Sequence, residues 1–223
     1  CVALPAACRS STAVPPSVES EVTVPSNASA PAPTSDALEV RLVASTNNAR
    51  RLELVGRDGE LVARFYPGFF NQTLLVPDVE GNSGRLVERR VAGSDVLAAS
   101  LDRESGRVLV AVRGFIYAET STDLVFVIDA KQVKDPPDPS TVHPLFYDGP
   151  DVLAEAAEGR ERGRRAFHDV TEVGFAEDGR LLLTLADASG GVCHLEYDAA
   201  LRPLACRWEG GESRKCPEGL HAR

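Results

Sequence analysis

The fold is decided by the stretch from His168 to Arg207, which reads HDVTEVGFAEDGRLLLTLADASGGVCHLEYDAALRPLACR. Runs rich in leucine, valine and aromatic residues alternate there with short groups of turn residues, a pattern typical of consecutive antiparallel strands. The strands that this pattern predicts are residues 170–175, 180–186, 191–197 and 202–208. The predicted turns between them are Glu177-Asp178-Gly179, Ser189-Gly190 and Asp198-Ala199-Ala200. We therefore expect a four-strand meander.

A weaker copy of the same unit lies upstream. Asp95-Val96 corresponds to Asp169-Val170, and the run 105–109 corresponds to the run 178–182. Further short alternating runs occupy residues 38–45, 51–55 and 60–65, with the tight-turn signal Asp58-Gly59 between the last two. One supersecondary unit repeated along the chain predicts a mainly β domain built from antiparallel meanders.

The run Phe175-Ala176-Glu177-Asp178-Gly179-Arg180-Leu181 resembles the blade turn of bacterial TolB-like and YncE-like β-propellers. The departure is that Ala176-Glu177 stands where those proteins have Ser-Pro. The resemblance implies sheets arranged as propeller blades of roughly 40 residues each, and a closed ring has little room in residues 37–223 once the insert at 135–167 is taken out. We expect a small or incomplete propeller-like arrangement, with an antiparallel β-sandwich as the alternative.

An insert from residue 135 to residue 167 interrupts the repeat. It opens on the loop Asp135-Pro136-Pro137-Asp138-Pro139, and residues 151–158 favour one short helix that Gly159 ends. Four arginines follow, interleaved with Glu158 and Glu161, and we interpret this basic cluster as a solvated surface loop: Arg160, Arg162, Arg164 and Arg165.

Composition and charge narrow the class of protein. The net charge of −9 is spread along the chain, so the acidic surface would repel nucleic-acid backbones, and we expect no nucleic-acid partner. No apolar run approaches the 18 or so residues of a membrane-spanning helix.

The first 36 residues are predicted to be a disordered tether. The segment Arg9–Asp36 is rich in Ser, Thr, Ala and Pro and contains no aromatic residue and no glycine, so it cannot bury enough apolar area to order itself. A chain starting with Cys1 ahead of such a segment resembles a mature bacterial lipoprotein, in which the first cysteine carries the acyl chains that anchor it. Cys8, preceded by Leu4-Pro5-Ala6-Ala7, is the alternative lipidation site.

The other three cysteines lie in the last 31 residues of the chain and lack the Cys-x-x-Cys spacing of metal sites. A hairpin across residues 198–201 would place Cys193 opposite Cys206, with Leu195 opposite Leu204. We therefore expect a disulfide between Cys193 and Cys206, and Cys206 with Cys216 is the alternative pair. The third possibility is that some of these cysteines are free, buried thiols.

The sequence contains no recognisable catalytic constellation. The four histidines have no metal-ligand spacing, and we expect neither a metal nor another cofactor. The best candidate site is His168-Asp169 with Asp95, because a propeller would turn these strand starts towards its central channel. The repetition of the aspartate in both copies favours a structural role.

These observations predict a non-enzymatic binding or scaffold module, held at a bacterial membrane by its lipid anchor and facing the periplasm or the exterior. Its expected partners are the membrane and either an envelope protein or a cell-wall glycan. The alternative is an envelope hydrolase whose site lies near Asp95, His168 and Asp169.

Overall fold

The structure is a computed structural model that describes residues 38–45, 48–78, 85–117, 120–147, 169–187 and 190–210. Within these ranges the chain forms twelve strands and two short 3₁₀ turns, at Pro67–Phe70 and Pro139–Thr141. The prediction of a mainly β, antiparallel fold is confirmed. The helix expected at 151–158 and the basic cluster from Arg160 to Arg165 lie outside the described residues.

The strands form three antiparallel sheets, and neighbouring strands in each sheet follow one another along the chain. The first sheet contains β1 (Glu39–Ala44), β2 (Arg50–Val55) and β3 (Leu61–Phe65). The central sheet contains β4 (Gln72–Pro77), β5 (Leu86–Asp102), β6 (Arg107–Tyr117), β7 (Thr120–Asp129) and β8 (Val142–Tyr147). The third contains β9 (Asp169–Phe175), β10 (Leu181–Ala186), β11 (Val192–Tyr197) and β12 (Pro203–Glu209).

The central sheet is covered on both faces. Alternate residues of β6 and β7, such as Val110 and Phe126, join Leu52 and Phe65 of the first sheet in one core. The intervening residues, such as Ala111, pack against the third sheet in a second core. Because successive side chains of a strand point to opposite faces, strands buried on both faces need continuous apolar runs. The three meanders are thus layers of one stack, and a propeller-like arrangement of them stays a prediction.

One turn geometry closes five of the hairpins. The first residue of each turn accepts a hydrogen bond from the fourth and donates its own N–H to the carbonyl of the fifth, as in Gly56 to Glu60 and Ala176 to Arg180. The fourth residue has a positive φ in every case, which is the conformation of a type I turn followed by a bulge. The residues at that position are Asn48, Gly59, Gly179, Gly190 and Leu201.

Two parts of the central sheet differ from what the sequence pattern indicates. Residues 84–91 and 95–101 are two separate strand-like runs in the sequence, but they form one long strand, β5, because β5 pairs with β4 along its first part and with β6 along the rest. The segment assigned to the start of the insert supplies β8, which pairs with β7. Its apolar residues Leu145 and Phe146 enter the second core, so the central sheet extends one strand further than the repeat indicated.

Aromatic residues at the end of β3 and in the loop after it form a plug over the register shift at Gly93 in β5. Phe65 packs against Phe69 and Phe70, and Phe70 also packs against Phe126. The loop that carries them crosses Gly93 so closely that a Cβ atom there would lie 2.0 Å from the carbonyl oxygen of Pro67. The Asn71 side chain accepts a hydrogen bond from the Gly93 N–H at 2.9 Å, so only glycine fits at this crossing.

Candidate functional site

The structure places Asp95 on β5 of the central sheet and Asp169 at the start of β9 in the third sheet. His168, the third residue of the candidate site, lies outside the described residues, as do the lipidation candidates Cys1 and Cys8. Asp95 and Asp169 both contribute to a set of charged side chains that joins the three sheets. We call Arg50, Asp95, Arg113, Asp123 and Asp169 the aspartate–arginine cluster.

Arg50 of the first sheet holds Asp95 of the central sheet. Its terminal nitrogen Nη2 lies 2.8 Å from Asp95 Oδ2, and its backbone N–H donates to Asp95 Oδ1 at 2.7 Å. The Nη1 atom of Arg50 also reaches the carbonyl oxygen of Leu97 at 3.2 Å. Charge-assisted hydrogen bonds of this kind are stronger than neutral ones and fix the orientation of both groups. Asp95 is therefore an attachment point between two sheets.

Arg113 makes the corresponding link between the central and third sheets. Its Nε donates to Asp123 Oδ1 at 3.0 Å, and its Nη2 lies 3.3 Å from Asp169 Oδ1. The backbone N–H of Val170, the residue after Asp169, donates to Asp123 Oδ2 at 2.9 Å. Asp123 is almost fully buried, so these donors supply the partners that a buried carboxylate requires.

The electrostatics of the cluster differ from one carboxylate to the next. Burial opposes ionisation of Asp95, but the hydrogen bonds and charge of Arg50 together lower its pKa below the ordinary aspartate value. Burial raises the pKa of Asp123, against the hydrogen bonds from Arg113 and Val170. The carboxylates in turn raise the pKa of Arg50 and Arg113 through hydrogen bonds, led by Asp95 and Asp123 respectively. Desolvation thus dominates at Asp123 and pairing dominates at Asp95.

The arrangement is suited to holding sheets together. Asp95 and Asp123 each accept from a guanidinium and from a backbone N–H, whereas Asp169 has one ion pair with Arg113 and a side chain that is 67% exposed. A general base needs an acceptor that can reach a substrate proton. Asp169 is the carboxylate of the cluster that solvent reaches most easily.

Sequence reasoning missed Arg50, Arg113 and Asp123. A usable signal exists for the last two, because Arg113 ends the apolar run 108–112 and Asp123 begins the run 124–128. The two residues are direct partners across the β6–β7 hairpin, so a correct hairpin register would have paired them. No comparable local signal connects Arg50 with Asp95, since they lie on strands of different sheets.

The predicted cysteine pairing fails because the register of the β11–β12 hairpin is different. Cys193 is opposite Trp208, and Cys206 is opposite Leu195. The positive-φ turn at Leu201 and a bulge after Glu196 each displace β12 by one residue relative to β11. Together they shift the pairing by two residues. The sulfur atoms of Cys193 and Cys206 are 3.6 Å apart, far beyond a disulfide bond of about 2.05 Å.

Cys193 is a free, buried thiol, and burial raises its pKa to about 11. A thiol with so high a pKa is a poor nucleophile at neutral pH, because the thiolate is the reactive form. The alternative pair of Cys206 with Cys216 lies outside the described residues, since Cys216 is not among them.

No group of three or more potential metal-ligating side chains occurs in the part of the chain that the structure describes. His194 lies on the outer face of the third sheet, with Nε2 3.7 Å from Glu209 and Nδ1 3.5 Å from Thr184. Both distances exceed those of strong hydrogen bonds. Among the described residues, no helix is long and apolar enough to cross a membrane.

No protein-family model, no curated protein and no solved structure matches this chain. The proposals below therefore depend on the geometry of its own residues.

Proposed function

We propose that this chain is a lipid-anchored protein of the bacterial cell envelope, whose β domain of residues 37–223 is a non-enzymatic binding or scaffold module. The observation that carries the proposal is the engagement of the candidate carboxylates in contacts between sheets. Asp95 is held by Arg50, and Asp169 shares Arg113 with the buried Asp123.

The state of Asp95 supports a structural role over a catalytic one. Its lowered pKa makes it a weak base, because a general base works best when its pKa lies near the working pH. Proton abstraction by Asp95 would also require breaking its hydrogen bonds with the Arg50 side chain and backbone. These contacts join the first and central sheets, so their loss would weaken the stack.

The anchoring part of the proposal is supported by composition. The segment Arg9–Asp36 has the Ser, Thr, Ala and Pro content of an extended spacer, which would hold the β domain away from a bilayer. An anchor of two or more acyl chains on Cys1 or Cys8 would bind stably, because each buried methylene contributes about 0.8 kcal/mol. The expected partners are the membrane and an envelope protein or cell-wall glycan.

Intact-mass spectrometry of the protein purified from its own membranes tests the anchor. We expect a mass increase matching a diacylglycerol thioether with one further acyl chain, and peptide mapping should locate it at Cys1 or Cys8. An unmodified peptide containing both cysteines would contradict the anchor. The same map, run without reductant, would show whether Cys206 and Cys216 are linked.

The competing hydrolase reading is favoured by one observation, the exposure of Asp169 beside Arg113. Its test is hydrolysis of cell-wall glycan and of ester substrates by wild type and by Asp169→Asn, which keeps the size of the side chain. We expect no turnover above background by either protein. Turnover by wild type that Asp169→Asn abolishes, with an unchanged unfolding midpoint, would replace the binding proposal by the enzymatic one.

A further inference from the structure

The outer face of the first sheet carries charged side chains in cross-strand rows. Arg41, Glu53 and Arg64 lie opposite one another on β1, β2 and β3. Arg51 is two residues before Glu53 on the same face, and Tyr66 continues the alternation two residues after Arg64 in extended backbone. We call these five residues, Arg41, Arg51, Glu53, Arg64 and Tyr66, the arginine face.

Glu53 holds two of the arginines in place. Its Oε1 atom accepts from Nε of Arg51 at 2.9 Å and from Nε of Arg64 at 3.0 Å. Tyr66 and Glu53 together raise the pKa of the Arg64 guanidinium. A guanidinium has five N–H donors, and Glu53 takes one from each. The contacts with Glu53 leave the Nη groups of Arg51 and Arg64 for a ligand, and the two side chains are 21% and 37% exposed.

The local charge of this face is opposite to that of the whole chain. Arg41, Arg51 and Arg64 carry three positive charges, and Glu53 with the neighbouring Glu39, which pairs with Arg41, carries two negative ones. Burial opposes ionisation of Glu53, but hydrogen bonds from Arg51 and Arg64 lower its pKa, so it is ionised at neutral pH. A face with net charge +1 on a chain of net charge −9 would favour anionic ligands.

Tyr66 adds a flat apolar surface next to the arginines. Its side chain is 53% exposed, while Phe65, Phe69 and Phe70 around it pack with one another in the interior. An exposed tyrosine offers a rigid ring with a polar tip at little conformational cost. The C–H groups of a sugar ring can pack against such a ring, which neither phosphate nor another small inorganic anion can do.

We propose that the arginine face binds an anionic sugar of the cell envelope. The carboxylate or phosphate of the sugar bridges the guanidinium groups of Arg51 and Arg64, which recognise planar or tetrahedral oxyanions through paired N–H groups. The sugar ring packs against Tyr66. This inference rests on the proposed binding function and names its ligand class and site.

Titration calorimetry with the full chain tests the inference. The probes are a tetrasaccharide of alternating glucuronate and N-acetylglucosamine, glucose 1-phosphate, and neutral chitotetraose as the uncharged control. We expect the acidic tetrasaccharide or the sugar phosphate to bind at least about tenfold more tightly than chitotetraose, and the binding to weaken as salt is raised. Whichever probe binds identifies the anion as carboxylate or phosphate.

Variants locate the site. The double variant Arg51→Gln with Arg64→Gln should weaken binding by about tenfold or more, and Arg51→Lys with Arg64→Lys should lose part of it because the forked donors are gone. Tyr66→Ala should weaken binding while leaving the unfolding midpoint unchanged. The matched control is Arg207→Gln, which removes one charge from an exposed ion pair with Glu209 on the third sheet. We expect it to change affinity by less than about twofold.

Three results would overturn the inference: equal binding of charged and neutral saccharides, an equal loss in Arg207→Gln, or no binding of any probe by a wild type that is correctly folded. A lipidated chain that fails these tests would leave the proposed envelope function in place. Cleavage of the tetrasaccharide during the titration, seen by mass spectrometry, would instead contradict the non-enzymatic function itself.

Discussion

The hairpin β6–β7 and the hairpin β10–β11 correspond to each other in the repeat that the sequence predicts, but their environments differ. Residues 108–112 of β6 are all buried, because the first and third sheets cover the two faces of the central sheet. On β10 the buried residues alternate with partly exposed ones, Leu181, Leu183 and Leu185 facing the core. The burial pattern along a strand therefore indicates whether its sheet is the central layer or an outer layer of the stack.

The turns that lead into β6 and β10 both contain a glycine with a positive φ, Gly106 and Gly179. Their hydrogen bonds differ, because Gly106 donates its N–H to Asp102, four residues earlier, and Gly179 donates to Ala176, three residues earlier. A positive-φ glycine therefore precedes both a strand buried on two faces and a strand buried on one.

The largest difference between the two hairpins is expected when a carboxylate is introduced at corresponding positions of β6 and β10. Ala111→Asp places a carboxylate in the second core, where position 111 is fully buried among apolar side chains. We expect a loss of more than about 4 kcal/mol, enough to prevent folding of a marginally stable domain. Thr184→Asp on the outer face of the third sheet should cost less than about 1 kcal/mol.

Urea unfolding followed by circular dichroism measures both changes. Equal losses in the two variants would contradict the assignment of the outer face of the third sheet to solvent. A folded Ala111→Asp protein with native stability would contradict the three-layer stack.

Removing the buried carboxylate of the aspartate–arginine cluster should have the next largest effect. Asp123→Ala removes the acceptor of the Val170 N–H and one of the two carboxylates that pair with Arg113, and we expect a loss of about 3 kcal/mol in the free energy of unfolding. The matched control is Asp178→Ala, which breaks the exposed ion pair with Arg180 and should cost less than about 1 kcal/mol.

The pH dependence of Asp123 has a definite sign. Its folded-state pKa is raised, chiefly by burial, so its contribution to stability is fully present below the unfolded pKa of about 3.9 and is lost as pH rises through the folded pKa. Asp123→Asn cannot titrate at this position. The stability of wild type relative to Asp123→Asn should therefore fall as pH rises above about 4, the ordinary aspartate pKa, and a rise would show that pairing with Arg113 outweighs burial.

The close approach of Pro67 to Gly93, where the aromatic plug crosses β5, can be tested by adding a Cβ atom to Gly93. A Cβ atom on Gly93 would meet the Pro67 carbonyl at 2.0 Å, whereas a Cβ atom on Gly174 of β9 would meet nothing within 4 Å. Gly93→Ala should cost about 2 kcal/mol or more through displacement of the loop. Gly174→Ala should be neutral or slightly stabilising, because alanine restricts the unfolded chain. The thermal unfolding midpoints of the two variants, compared with that of wild type, test whether position 93 has room for a Cβ atom.

The smallest expected effect concerns the turn between β11 and β12. Leu201 has a φ of 63°, at the position where three of the other hairpins have glycine and one has Asn48. Leu201→Asn should stabilise the domain by a few tenths of a kcal/mol, because asparagine tolerates this conformation better than leucine. The gain is small since Leu201 also packs against the second core. A loss above about 1 kcal/mol in urea unfolding would show that packing outweighs the turn.

Much of the strand pattern could be predicted from the sequence. β1 to β3 and β9 to β12 lie within one or two residues of the predicted runs, because their alternating patterns and turn residues are local signals. The continuity of β5 across Gly93 was not predictable in this way, since it depends on pairing with both β4 and β6. The strand β8 was not predicted, because its residues were assigned to the insert at 135–167.

The candidate site was predictable only in part. The repeat pointed to Asp95 and Asp169, but their partners Arg50 and Arg113 come from neighbouring sheets. The expected link between Cys193 and Cys206 was wrong by two residues of register, which a bulge and a positive-φ turn introduced. Errors of this size move a cross-strand pair apart, even where every strand is correctly located.

Taken alone, the order of apolar and turn residues was enough to establish an antiparallel, mainly β chain, because strand alternation and hairpin turns are set by residues within a few positions of one another. The stacking order of the sheets, the aspartate–arginine cluster and the plug over Gly93 needed the tertiary structure. Each of them depends on side chains that are distant in sequence, and their contacts form only when whole sheets pack. The arginine face belongs to both categories: alternation places its residues on one side of the sheet, and only packing shows which side faces solvent.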